Sequence, residues 1–175
     1  WADNVSVIPH DMYYYPADSF PKHLEFEFYD NDFKNFDTPE ALETELMIEH
    51  ILELKAGREV QMPMYDFGNN EEQKGMRHPW ETIKPTDFLI VDGIFSLHNK
   101  HLRKLTDVWI YIEVDPINQM ARRFMRDWGR GQSRSDMGHP GMCDDILFYI
   151  HHVRKWFNEF VVPSKQHADL VVANN

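Results

Sequence analysis

Asp87-Phe88-Leu89-Ile90-Val91-Asp92-Gly93 is the stretch on which the fold turns. A near-continuous apolar run closed by an acid and a glycine is the pattern of a central parallel strand with a carboxylate at its C-terminal tip. Upstream, Val5-Ser6-Val7-Ile8-Pro9 reads as a second buried strand, emptying into the loop His10-Asp11-Met12-Tyr13-Tyr14-Tyr15-Pro16. Downstream, Leu97 to Leu105 predicts a short helix and Asp107 to Val114 another strand. Asp115-Pro116 then opens a further helix, Asp144 to Phe160 forms a long amphipathic one before Pro163, and Asp169 to Val172 closes with a last strand. Strand and helix alternate throughout, so the expected class is α/β, a parallel sheet with helices on both faces.

Between the first strand and the central one lie two more elements. Asp37-Thr38-Pro39-Glu40 predicts a helix start, with Asp37 or Thr38 as cap and Pro39 in the first turn. Leu42, Leu46, Ile51, Leu52 and Leu54 carry it to Lys55, and Gly57 stops it. Glu59 to Phe67 reads as an extended segment, Gly68 to Gly75 as a polar loop, and Glu81 to Lys84 as a returning hairpin partner.

At 175 residues, 42% hydrophobic, the chain is long enough for one compact domain over residues 1–175. Its 18 basic against 29 acidic residues argue against a broad nucleic-acid-binding face, so any anion site must be local. Apolar runs are far shorter than a membrane span, and no basic leader opens the sequence. With a single cysteine, Cys143, the expectation is a soluble, unsecreted, cytoplasmic protein without nucleic-acid or membrane partners. Its histidines are scattered and do not suggest a transition-metal site.

Against this acidic background, Arg122-Arg123-Phe124-Met125-Arg126-Asp127-Trp128-Gly129-Arg130 concentrates four arginines in nine positions. On a helix Arg123, Arg126 and Arg130 share one face. Two readings stand: a grip on a phosphorylated ligand, whose oxygens the guanidinium fork pairs two at a time, or a solvated face paired with the chain's own acids.

Segments in collinear order resemble the uridine kinase family, within the phosphoribulokinase and uridine kinase group. They are Asp11-Met12-Tyr13-Tyr14, Asn35-Phe36-Asp37-Thr38-Pro39-Glu40-Ala41-Leu42, Pro63-Met64-Tyr65-Asp66-Phe67, Val91-Asp92-Gly93-Ile94, Arg122 to Asp127, and Phe160 to Asp169. The resemblance implies a P-loop kinase-like fold with a small β-hairpin and a lid helix, using ATP and Mg²⁺ to phosphorylate the 5′-hydroxyl of a nucleoside, uridine or cytidine, in pyrimidine salvage. It implies Asp11 as general base, Tyr14 and Tyr65 lining the nucleoside pocket, and Asp37 on the ribose hydroxyls. Asp92 would help hold Mg²⁺, and Arg123, Arg126 and Arg130 would close over the triphosphate. A homo-oligomer is also implied.

The match has gaps. The family's opening strand, glycine-rich phosphate loop and first helix are not in this sequence, and no Gly-x-x-x-x-Gly-Lys-Ser/Thr occurs in it. The expectation is therefore the remainder of a longer protein, inactive by itself. Where the family places a base-contacting histidine stands Asn70, with His78 downstream as a substitute; its late glutamine aligns with Phe148, and its Arg-Gly-Arg segment becomes Arg130-Gly131-Gln132. Two alternatives remain open: a kinase of another small alcohol (a different riboside, pantothenate or a sugar phosphate), or a catalytically silent kinase-like domain that binds a ligand or partner.

Overall fold

The computed structural model describes residues 4–28, 31–68, 75–129 and 142–174. Trp1–Asp107 and Val108–Asn175 form two compact units.

In the first unit, β1 (Val5–Pro9) runs into a 3₁₀ turn, His10–Tyr13. A hairpin of β2 (Glu25–Phe28) and β3 (Asn31–Lys34) follows, pairing Phe26 with Phe33 across its strands. Then come α1 (Thr44–Lys55), the hairpin of β4 (Val60–Tyr65) and β5 (Arg77–Ile83), β6 (Phe88–Asp92) and α2 (Lys100–Leu105). β1 and β6 pair in parallel from Val5↔Phe88 to Pro9↔Asp92. The β4–β5 pairing, Val60↔Ile83 to Tyr65↔Arg77, is the hairpin read from the sequence, with an irregularity between Pro63 and Tyr65. α1 buries Met47, Ile48, Ile51 and Leu54 on one side, each contributing about 2 kcal/mol of apolar burial. Leu52, expected on that stripe, is 47% exposed. α2 starts at Asn99, whose side chain accepts from the amides of His101 and Leu102 at 2.8 and 3.1 Å.

Two readings are corrected here. The helix expected from Pro39 begins at Thr44. Pro39–Ala41 is a separate 3₁₀ turn, and Leu42 is extended (φ −116°, ψ 136°) because its backbone bridges Tyr14 antiparallel. The amide of Tyr15 donates to Ala41 O at 3.0 Å and that of Glu43 to Tyr13 O at 2.9 Å, so a tertiary pairing overrides a locally sound helix start. Neither Asp37 nor Thr38 therefore caps α1. The second correction concerns β6: among the described residues its hydrogen-bonded neighbour is β1, and Phe88 and Ile90 are 59% and 50% exposed rather than buried.

In the second unit, β7 (Ile110–Glu113) pairs in parallel with β8 (Leu170–Ala173), Ile110↔Leu170 to Glu113↔Ala173. Asp169 anchors the pair: its carboxylate accepts from the Trp109 amide at 2.7 Å while its own amide donates to Trp109 O at 2.8 Å. α3 (Pro116–Gly129) opens as read, Asp115 Oδ1 accepting from the amides of Ile117 and Asn118 at 2.9 and 3.3 Å. The late helical run starts with α4 (Met142–Phe148), widens to π-type turns at Tyr149–Val153, tightens at α5 (Arg154–Trp156) and widens again at Phe157–Val161. No helix among the described residues is long and apolar enough to cross a membrane.

Candidate active site

β1 and β6 end side by side, Pro9 in register with Asp92. Asp11 lies two residues past Pro9, so two exposed carboxylates leave the same ends of adjacent parallel strands, where α/β folds place their ligands. The turn geometry decides which side chain faces out. With three residues per 3₁₀ turn, His10 and Tyr13 eclipse one another, and both are buried, at 1% and 0% exposure; Asp11 between them is exposed.

The turn is held from behind. Arg77, buried on β5, donates from Nε to Tyr14 O at 2.8 Å and from Nη2 to Tyr13 O at 2.7 Å, while Nη1 pairs with the Glu43 carboxylate. One guanidinium thus fixes two carbonyls of the turn and the residue before α1, satisfying charge and hydrogen bonds together. Glu43, at the N-cap of α1, makes no side-chain cap bond to its own helix. Tyr13 Oη shares a hydrogen bond of 2.9 Å with His50 Nδ1. Burial pushes the Tyr13 phenol well above its usual range and pulls His50 down. Sequence reading missed Arg77 as it missed His10; an arginine in a hairpin strand carries no local mark of the carbonyls it will reach.

Beside the turn stands an aromatic group. Tyr14 meets Phe36, Tyr65 and Phe67 with ring centroids 5.3, 5.8 and 6.4 Å apart, all edge-on, and Tyr65 lies 4.9 Å from Phe67. The Tyr14 hydroxyl donates to Phe36 O at 3.1 Å, which fixes the chain one residue before Asp37. Asp37 is half-buried there, its amide donating to Asn35 Oδ1 at 3.1 Å. Tyr65 is buried and its phenol raised by burial, whereas Phe67 is 40% exposed. Gly75, at φ +76°, lets the far end of the hairpin loop come in close: a Cβ there would lie 2.9 Å from Ala17 Cβ. Of the residues singled out from sequence, the first unit holds Asp11, Tyr14, Asp37, Tyr65 and Asp92: Tyr14 meets Tyr65, Asp37 follows the carbonyl that Tyr14 binds, and Asp11 and Asp92 stand at paired strand ends. Asn70, the His78 side chain and Arg130 lie outside the described residues.

In the second unit, Arg123 and Arg126 of α3 both reach one of the chain's own acids, the pairing that the solvated-face reading expects. Arg123 Nε is 3.5 Å and Arg126 Nε 2.7 Å from Asp127 carboxylate oxygens. Arg122 Nη1 donates to Asn174 O at 2.8 Å. Two guanidiniums on one carboxylate leave a net positive face, and Arg126, 53% exposed, is free to exchange Asp127 for another anion at a cost below about 1 kcal/mol.

A model of the phosphoribulokinase/uridine kinase family matches residues 15–175. The chain belongs to that family. Among its relatives, uridine kinase of Staphylococcus carnosus (strain TM300) is 37% identical over 172 residues, spanning 97% of this chain and 73% of its own. Uridine kinase of Macrococcus caseolyticus (strain JCSC5402) is 34% identical over 170 residues, with 97% and 74% covered. In fold, the chain is similar to phosphoribulokinase from Rhodobacter spheroides, with a TM-score of 0.66 at 12% identity over 97% of this chain and 60% of that one. Membership of a kinase family brings an expected cofactor, ATP with Mg²⁺. The exposed carboxylate of Asp92 suits the hard, oxygen-seeking cation. The triphosphate's usual cradle of glycine amides and a lysine has no counterpart in this family member's 175 residues.

Proposed function

We propose that the protein is a nucleoside kinase that phosphorylates the 5′-hydroxyl of a pyrimidine riboside, uridine or cytidine, in pyrimidine salvage. The observation that carries this is the position of Asp11 on a locked turn three residues before Tyr14, whose ring joins Tyr65, Phe36 and Phe67. Flat apolar rings suit a planar base, and Asp37 next to Phe36 suits vicinal ribose hydroxyls. The names of the curated relatives support the same substrate class.

In this reading Asp11 accepts the proton of the 5′-hydroxyl as that oxygen attacks, and the pinned Tyr13 and Tyr14 carbonyls keep its carboxylate in place. Asp92, from the neighbouring strand end, would hold Mg²⁺, which would offset the charge on the phosphates. Arg123 and Arg126 would exchange Asp127 for phosphate oxygens. ATP, when bound, supplies the phosphoryl group. The setting is cytoplasmic, and a homo-oligomer is the expected assembly.

The test is a coupled assay of the whole protein with ATP and Mg²⁺ against uridine, cytidine, purine ribosides, pantothenate and sugar phosphates, paired with calorimetric binding of each. Turnover of pyrimidine ribosides supports the reading. Turnover of another alcohol alone moves the substrate, and nucleoside binding without turnover identifies a silent domain.

A further inference from the structure

Behind Asp11 sits a buried histidine that the reaction as described does not use. His10 Nδ1 lies 3.2 Å from Ser96 Oγ and Nε2 lies 3.1 Å from Thr44 Oγ1. The ring is 1% exposed, and burial pulls its pKa from 6.5 to about 4, so it is neutral at physiological pH. A neutral imidazole has one donor and one acceptor, while a hydroxyl can be either; both bonds are therefore satisfied whichever nitrogen carries the proton. Ser96 is itself buried, in the turn where its amide donates to Gly93 O at 3.2 Å. Gly93 has no room for a side chain, because a Cβ would overlap His10 Cβ and lie 3.0 Å from Ser96 Oγ. Close approach and paired hydrogen bonding thus converge on one ring from two separate strand ends and a helix start.

We propose that His10 is a positioning residue, whose ring joins the turn bearing Asp11 to the Gly93–Ser96 turn that follows Asp92 and to the first residue of α1, fixing the spacing of the two carboxylates. The role rests on the nucleoside-kinase reading, since only there does the spacing between proton acceptor and metal-holding acid set the rate. The ring touches no reacting atom. It acts by denying the two strand-end turns independent motion.

The experiment compares the whole protein with His10→Ala, His10→Asn, His10→Gln and Ser96→Ala. His10→Ala is expected to lower kcat at least tenfold while changing nucleoside Kd less than threefold. His10→Asn, which can restore the bond to Ser96, or His10→Gln, which reaches towards Thr44, should recover part of the loss, and Ser96→Ala should not add to His10→Ala. Hydrogen exchange reads the coupling without turnover: His10→Ala should speed amide exchange at least tenfold in both 10–14 and 93–97. If His10→Ala does not fold, Ser96→Ala carries the same two readouts. Unchanged kcat in a folded variant, equal losses of binding and turnover without rescue, or exchange accelerated in 10–14 alone would overturn the proposal. A wild-type protein that turns over no nucleoside would instead sink the functional reading, and unchanged exchange in 93–97 would then still refute the coupling.

Discussion

The His10–Tyr13 turn and the arginine face of α3 both carry charge at the surface, and they are held in opposite ways. The turn is held by buried side chains: His10 between two hydroxyls, Tyr13 on His50, and Arg77 beneath two carbonyls. Arg122 and Arg126 are exposed and Arg123 half-buried, and they bind Asp127 and the Asn174 carbonyl, partners that water and salt can replace. In the proposed reading, the group that meets one hydroxyl at one angle needs rigidity, because misplacement by an ångström is costly. Groups that gather diffuse phosphate charge gain from being able to change partners.

The sharpest way to break this contrast is to remove the chemistry from the rigid region while leaving its scaffold. Asp11→Asn should lower kcat by about a thousandfold, within the range of general-base contributions, with nucleoside Kd nearly unchanged. Steady-state kinetics and calorimetry on the same preparation decide it, and unchanged turnover removes Asp11 from the mechanism. Next comes the scaffold itself. Arg77→Met leaves Glu43 and two carbonyls without their partner and should cost about 3 kcal/mol in denaturant unfolding. A loss below about 1 kcal/mol would mean that the turn does not depend on this clamp.

Acid titration probes the same scaffold more gently. Because the folded state holds His10 neutral to about pH 4 while the unfolded chain titrates near 6.5, the unfolded state binds the extra proton between these values. Stability from this residue is complete above about pH 6.5, falls as pH drops, and is lost below about 4, a change of up to about 3 kcal/mol. Unfolding free energies at pH 7, 5.5 and 4.5 should decline less steeply in His10→Gln than in the parent; parallel declines would assign the acid sensitivity elsewhere. The mildest expected effect is on the arginine side. Arg126→Ala should leave stability within about 0.5 kcal/mol and raise the KM for ATP several-fold, more than that for nucleoside. The reverse order would remove Arg126 from the phosphate site.

How much of this could be read in advance differs by element. The parallel strands were legible because apolar runs ending in Pro9 and Asp92 announce themselves through local pattern, and α3 was legible from Asp115 and Pro116 at its start. The start of α1 was not. Pro39 and its neighbours form a sound local helix signal, and Leu42 breaks it by pairing with Tyr14, a residue 28 positions away in sequence. Arg77 and His10 were invisible for the same reason, their partners lying 63 and 64 residues away for Arg77 and 34 and 86 for His10.

By itself, then, the sequence determined the alternation of strand and helix, the placing of acids at strand tips, the arginine face and the family, since each depends on residues near one another or on motifs in order. Tertiary structure alone decided which side chains are locked and which remain free to move. That distinction depends on burial and on bonds between distant segments: a hydroxyl from α1 and another from beyond β6 make an ordinary histidine a joint, and two carbonyls from the turn make an ordinary arginine its clamp.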